Sequence, residues 1–270
     1  MTRDGRLPEL LAPAGSPEAL RAAVEGGADA VYFGASGFNA RAGARNFSDT
    51  ELRRAVEFCH GRGVRVYLTL NTLIYDRELR DYLAAAETAY LAGVDALIVA
   101  DIGGAAALRR TFPDLPLHAS TQMSGHSVGC AKELASLGFE RMVLAREMSF
   151  ADIAGFTRTS PIEAEVFIHG ALCVCHSGQC LFSSMVGGRS GNRGECAQPC
   201  RLPYNGGKYP LSLKDNCLAG HIPELIDAHV ASLKIEGRMK GPDYVGPVTA
   251  VYRRLLDGHR AATPEEIGYL

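Results

Sequence analysis

An excess of charge of either sign is missing from this 270-residue chain: 28 lysines and arginines meet 30 aspartates and glutamates, a formal charge of −2. That balance excludes a field drawing nucleic acid to the whole surface. No apolar run reaches the roughly 18–20 residues that a helical membrane span needs. No triplet or heptad period persists, which excludes collagen-like and coiled-coil designs, and 47% apolar residues exclude disorder. The first six residues hold no signal-peptide core and run into a strand-like segment, so a cytoplasmic protein is expected. No G-x-G-x-x-G follows the first strand, no H-E-x-x-H occurs, and the C-x3-C-x2-C run of radical-SAM enzymes is absent.

What is present is a repeat: a helix-like stretch, a glycine, a short polar step and a β-branched run. It recurs as Glu25-Gly-Gly-Ala-Asp29, His60-Gly-Arg-Gly63, Leu91-Ala-Gly-Val-Asp95 and Leu137-Gly-Phe-Glu140, each followed by a strand-like segment. A helix closed by a left-handed glycine and feeding a buried strand explains the pattern. Strands are predicted near 9–13, 30–34, 64–71, 96–101, 117–121, 141–146, 164–169 and 231–236. Helices are predicted near 17–26, 49–61, 77–92, 103–111, 125–137, 149–157 and 243–257. Such alternation implies parallel pairing with right-handed crossovers. Eight units of this length match an α/β fold of the TIM type, an eight-stranded parallel β/α barrel over residues 1–260; a doubly wound open sheet is the alternative. Residues 261–270 read as a C-terminal tail.

A barrel's outer face packs on helices, so alternation along each strand assigns the inner face. Glu165, Phe167 and His169 are predicted inward, as are Lys234 and Glu236, with Val166, Ile168, Leu233 and Ile235 outward. Arg65, Tyr67, Thr69 and Asn71, together with Tyr32, His118, Ser120, Gln122 and Arg146, join the interior, and Asp101 stands at a strand end. Interior charges are costly unless they are paired or meet a ligand. We therefore expect His169, Glu165, Lys234 and Glu236 as the catalytic group and Asn71, Asp101, Gln122, Arg146 and Arg238 as substrate-binding residues. The competing reading is a structural salt bridge between Lys234 and a glutamate.

Six of the eight cysteines, Cys173, Cys175, Cys180, Cys196, Cys200 and Cys217, fall between positions 173 and 217, in a loop (170–217) inserted after the seventh strand. In a reducing compartment such clustering points to metal or redox chemistry rather than to disulfides. Structural zinc favours paired C-x2–4-C knuckles, which only Cys196/Cys200 approach. Irregular spacing among many glycines, whose N–H groups can bond to sulfides, favours an iron–sulfur cluster; zinc and catalytic thiols remain alternatives. Cys59 and Cys130 read as buried helix residues.

The stretch from Glu165 to Ser183, with its Cys173, Ser177-Gly-Gln-Cys180 and Leu-Phe-Ser183 elements, resembles the motif of the collagenase-like peptidase U-32 family. So do Glu9-Leu-Leu-Ala-Pro-Ala-Gly15, Asp29-Ala-Val-Tyr-Phe-Gly34, His118-Ala-Ser-Thr-Gln122 and Ser232-Leu-Lys-Ile-Glu-Gly-Arg238. The family is named for collagen degradation. The resemblance also implies oxygen-independent hydroxylases carrying a 4Fe–4S cluster, which act on a base of transfer or ribosomal RNA or on a quinone precursor, with prephenate as hydroxyl donor for the RNA-modifying members. Carried over by motif, the metal ligands are Cys173, Cys180, Cys196 and Cys217. Cys200 competes for the fourth place, and Cys175 is a non-ligand.

Hydrolysis by a peptidase finds little support in the residues. Cys175 and His176 are adjacent, which points their side chains apart, and no orienting third group is evident. The hydroxylase reading gives the cysteines a cluster and gives Arg146, Lys234 and Arg238 a small anionic co-substrate. Arg189, Arg193 and Arg201 make the loop locally basic, suited to phosphates or merely solvated. Fuller relatives carry C-terminal domains that assist RNA binding; such a module is expected to be absent here. A partner subunit in a hetero- or homo-oligomer is the third class.

Overall fold

The computed structural model describes residues 5, 7–41, 43 and 45–270; apart from Gly5, the opening six residues, on which the expectation of no signal peptide falls, lie outside the described residues. Eight parallel strands form a ring: β1 (Glu9–Pro13), β2 (Ala30–Gly34), β3 (Arg65–Leu70), β4 (Ala96–Val99), β5 (Leu117–Ala119), β6 (Phe139–Val143), β7 (Glu163–Gly170) and, after the two-residue β8 (Asn216–Cys217), β9 (Ser232–Ile235). β9 pairs with both β1 and β7, and β7 pairs also with β6, so the ring closes and leaves no free edge. β8 runs antiparallel to the end of β7, opposite His169 and Gly170. This is a TIM-type barrel, as the repeat predicts.

Outside lie α1 (Pro17–Glu25), α2 (Asp49–His60), α3 (Leu79–Ala92), α4 (Ile102–Thr111), α5 (Val128–Ser136) and α6 (Phe150–Thr159). They are followed by α7 (Phe182–Gly187), α8 (Ile222–Asp227), α9 (Pro242–Asp257) and α10 (Pro264–Tyr269). The glycine of each repeat, Gly27, Gly63, Gly93 or Gly138, adopts positive φ, the conformation the sequence pattern demands. Ser16, Ser48, Ser127 and Ser149 cap their helices by accepting a first-turn N–H.

Some boundaries differ from the sequence reading. β4 stops at Val99 because Asp101 becomes the cap of α4, accepting the Gly104 N–H at 2.7 Å. β5 stops at Ala119 because Ser120 opens a 3-10 turn (Thr121–Met123). β6 begins at Phe139, directly after the left-handed Gly138. α8 had no counterpart in the sequence reading, and the tail carries α10, started by a Thr263–Glu266 capping box. Among the described residues no helix is long and apolar enough to cross a membrane.

Two apolar clusters result. The larger fills the space between strands and helices; the smaller, Leu11, Ala30, Tyr32, Tyr67, Ala96 and Ile98, fills the bore. Polar groups complete that bore. Glu9 accepts from Tyr67 Oη at 2.7 Å and Ser232 Oγ at 3.0 Å and pairs with Arg141 at 2.7 Å. His118 stacks edge-on against Tyr67, with centroids 4.8 Å apart.

Candidate functional site

The carboxyl ends of the strands open on a cluster of guanidinium groups. Glu236, just past β9, accepts from Arg146 Nη2 at 2.7 Å and pairs with Arg41 at 3.5 Å. Burial pushes the Glu236 carboxyl up, but Arg41 and Arg146, helped by Arg238, override it and hold the pKa at about 2. Arg238 is buried and donates to Thr69 Oγ1 at 2.8 Å and to Asn39 Oδ1 at 3.5 Å; among the described residues no carboxylate pairs with it. Burial, then the neighbouring Arg41, lowers its pKa to about 10. Its backbone is gripped by the β1–α1 loop, where a Cβ on Gly15 would lie 1.9 Å from the Arg238 carbonyl oxygen. Three guanidinium groups therefore surround one carboxylate, leaving surplus positive charge suited to an anion.

Beneath this mouth Lys234 Nζ bonds to Glu165 at 2.9 Å and lies 4.1 Å from the centroid of the Tyr32 ring, while Arg141 approaches the same carboxylate at 3.4 Å. Lys234 and Glu165 are thus in the bore, as predicted, but they are engaged with each other in the manner of the structural alternative. Asn71 is also inside, accepting from the Ala40 N–H and donating to Ser120 Oγ, both at 3.0 Å. Asp101 spends both oxygens on backbone N–H groups, of Gly104 and Ile74. Gln122 stands on the turn after β5, at the edge of the mouth.

His169 is corrected. Alternation predicts it inside, yet the β7–β9 register shifts between Phe167 and His169, so that His169 pairs with the outward Ile235. Its Nδ1 lies 3.2 Å from Tyr252 Oη and its ring 5.9 Å from that of Tyr244, both on α9. A bulge adds one residue and reverses every later side. The alternation argument missed Glu9, the lone charge of β1, and Arg141, which lies beside the exposed Glu140 in β6; the period of their own strands could have revealed both. Arg41 lies in a loop without periodicity, and nothing in the pattern marks it.

The cysteine loop covers the mouth. Ser177 fastens it, donating its N–H to Glu147 at 2.8 Å and accepting the Arg146 N–H at 3.2 Å, while Arg146 Nη1 donates to Ala171 O at 2.7 Å. The loop arginines are used internally: Arg193 pairs with Glu78 at 2.5 Å, Arg201 donates to Leu172 O at 2.8 Å, and Arg189 donates to Glu195 O at 2.9 Å.

Five thiols, Cys173, Cys175, Cys180, Cys196 and Cys200, sense one another. Burial raises the Cys180 pKa and an N–H bond from Phe182 lowers it, with Cys173, Cys175 and Cys196 raising it further. Burial likewise raises Cys200, followed by Cys173. The Arg41 guanidinium, held high chiefly by Glu236, also feels Cys196 and Cys173, which places those sulfurs at the mouth. The Gln198 N–H donates to Cys196 Sγ at 3.3 Å. Cys217 stands apart on β8, its Sγ 3.9 Å from Tyr252 Oη. Among the described residues no three cysteine, histidine or carboxylate side chains converge tightly enough to hold a single metal ion.

A family model described as peptidase family U32 matches residues 15–268. The chain belongs to peptidase family U32. Among its relatives, the 23S rRNA 5-hydroxycytidine C2501 synthase of Escherichia coli (strain K12) is 44% identical over 267 residues, 95% of this chain and 40% of that protein. The tRNA hydroxylation protein P1 of Bacillus subtilis (strain 168) is 39% identical, over 96% of this chain and 65% of that protein. The chain thus spans less than two thirds of either relative. A solved structure titled as the U32 peptidase Mk0906 shares the fold at 15% identity, with a TM-score of 0.58 over 88% of this chain and 96% of that one.

Proposed function

We propose that this U32 barrel hydroxylates a base of RNA in the cytoplasm, using an iron–sulfur centre held by the cysteine loop and a small anionic co-substrate held at the mouth. The observation that carries the reading is the juxtaposition of mutually close thiols with a cluster of arginines that a single glutamate does not neutralise. The names of the relatives, with rRNA and tRNA as their objects, supply the substrate class.

The donor set fits a 4Fe–4S cluster: several thiols spread around one loop, with backbone N–H groups aimed at the Cys180 and Cys196 sulfurs. Zinc needs ligands closing on one point, which these thiols do not do. Cys173, Cys180 and Cys196 would hold the cluster. For the fourth place, proximity to Cys173 and Cys196 supports Cys200, while the contact of Cys217 with α9 speaks against the motif-based choice. When bound, the cluster supplies one-electron chemistry at the mouth.

The protein's own groups bind and orient. Arg238 and Arg146 offer guanidinium N–H groups to the carboxylates of a prephenate-like co-substrate. Glu236 holds Arg146 and Arg41 in register and stays ionised through its own pairing. The loop, fastened through Ser177, covers the mouth beside Arg146. The Lys234–Glu165 pair fixes the floor.

Mass spectrometry of rRNA and tRNA nucleosides from a strain lacking the gene, with and without this chain restored, tests the reading. A hydroxylated pyrimidine that disappears and returns is the expected result. Unchanged RNA, with a changed quinone pool or with gelatin cleavage by the pure chain, would overturn it.

A further inference from the structure

One cleft is left unused by the arginine mouth. It lies between the ends of β3, β4 and β5 and the cysteine loop, with a volume of ≈ 230 Å³. Its polar side chains are all carboxamides, Asn71, Gln122, Gln179 and Asn192, and Leu73 and Ile102 form apolar walls. Asn71 is occupied by Ala40 and Ser120, and Gln179 donates to Ser124 at 2.8 Å. The carboxamides of Gln122 and Asn192 make no hydrogen bond among the described residues, so both have a donor and an acceptor to offer.

The cleft is smaller than the roughly 300–1,000 Å³ of sites for drug-sized ligands, and it suits a single ring. A lining without charge selects a neutral ligand. Side-chain amides pair with a flat edge that carries a donor beside an acceptor, which is the edge of a nucleobase. Position adds a second argument. A Cβ on Gly178 would lie 2.2 Å from the Gln122 carbonyl oxygen, so the cysteine loop rests directly on the turn bearing Gln122, and Gln179 leads into Cys180. Across the cleft Asn192 follows Gly191, whose Cβ position is 3.6 Å from that of Cys196. The cleft therefore opens beside the thiols. At its rim the exposed ring of Tyr75 lies under the guanidinium groups of Arg77 at 4.6 Å and Arg193 at 5.1 Å. Arg193 is paired with Glu78, which among the described residues leaves Arg77 as the unneutralised charge beside the ring, and an exposed aromatic next to a cation is a platform for an unstacked nucleotide.

We infer that this cleft receives one pyrimidine base of RNA, swung out of its stack, with Gln122 and Asn192 reading its hydrogen-bonding edge and presenting the ring to the cysteine loop. The inference rests on the RNA-hydroxylation reading and adds the subsite and the residues that select the base.

The test measures binding of the full chain to three hairpin RNAs that differ at one bulged position: cytidine, uridine or an abasic ribose. A pyrimidine bulge is expected to bind roughly 5- to 100-fold tighter than the abasic one, the discrimination a single two-point amide–base contact provides. Gln122→Ala is expected to erase that preference while keeping the abasic affinity, which also shows that the variant is folded. Equal wild-type affinity for all three hairpins would overturn the base cleft and leave the RNA reading standing. Binding to none of them would remove both. A Gln122→Ala variant that keeps the full preference would overturn the assignment of the edge to Gln122.

Discussion

The buried pair of Lys234 and Glu165 gives the sharpest expectation about what holds the barrel's interior. Both side chains are essentially inaccessible, and they meet at 2.9 Å. Breaking a buried pair by removing one partner costs about 3–5 kcal/mol, because the other charge is left without compensation. The two halves differ in this barrel. After Lys234→Met, Glu165 keeps Arg141 at 3.4 Å, so the loss falls near the lower end, about 3 kcal/mol. After Glu165→Leu, Lys234 keeps no direct carboxylate contact among the described residues, only the faces of Tyr32 and Phe167, 4.1 and 5.4 Å away, and the more distant charge of Glu236, and must stay charged or shed its proton. Shedding it at pH 7 from a reference pKa near 10.4 costs at most about 4.6 kcal/mol, so that loss falls near the upper end. In the double variant Arg141 still has Glu9 and Glu163, both at 2.7 Å, and no charge is stranded. The double variant should therefore lie within about 1–2 kcal/mol of wild type, far less than the sum of the single losses. Urea unfolding at pH 7 measures all four corners of the cycle through the midpoint at constant slope. Single variants within about 0.5 kcal/mol of wild type, or a double variant matching the sum, would refute the reasoning.

Other expectations follow from the same contacts. His118 is held neutral by burial and by Arg141 and Lys234, its pKa well below the ordinary value. The unfolded chain takes up that proton first, so the stability it contributes is present above about pH 6.5 and is lost as the pH falls below it, by up to about 1.4 kcal/mol per pH unit. His118→Leu should flatten the midpoint–pH profile between about 6.5 and 5, and an unchanged slope would contradict this. Asp101→Ala removes the cap of α4 and should cost about 1 kcal/mol in thermal unfolding, with co-substrate KM unchanged; a KM effect at full stability would restore its reading as a binding residue. Arg238→Met should raise the KM for a dicarboxylate co-substrate roughly 10- to 100-fold, and an unaltered KM would move the anion site elsewhere.

The barrel was legible because four of its eight strands, β2, β3, β4 and β6, follow one local rule, a left-handed glycine and then a strand-like run, and the rule repeats. Period-two alternation placed Tyr32, Tyr67, His118, Glu165 and Lys234 in the interior from sequence alone. It failed at His169, where a bulge visible only in the pairing turns the side chain onto α9. Arg41 was illegible because a loop carries no period, and only the fold brings it to Glu236. The cysteines were visible, but their spacing says nothing about the path between them. That path carries Cys200 toward Cys173 and Cys196 and leaves Cys217 on a strand against Tyr252.

Iron and acid-labile sulfide in the anaerobically purified chain, compared among wild type, Cys180→Ser, Cys200→Ser and Cys217→Ser, address the centre of the account. Wild type and Cys217→Ser should each carry the iron and sulfide of one 4Fe–4S cluster, and Cys180→Ser and Cys200→Ser should lose it with the barrel's far-UV signal intact. A wild-type chain that binds zinc instead, or no metal at all, would contradict the account.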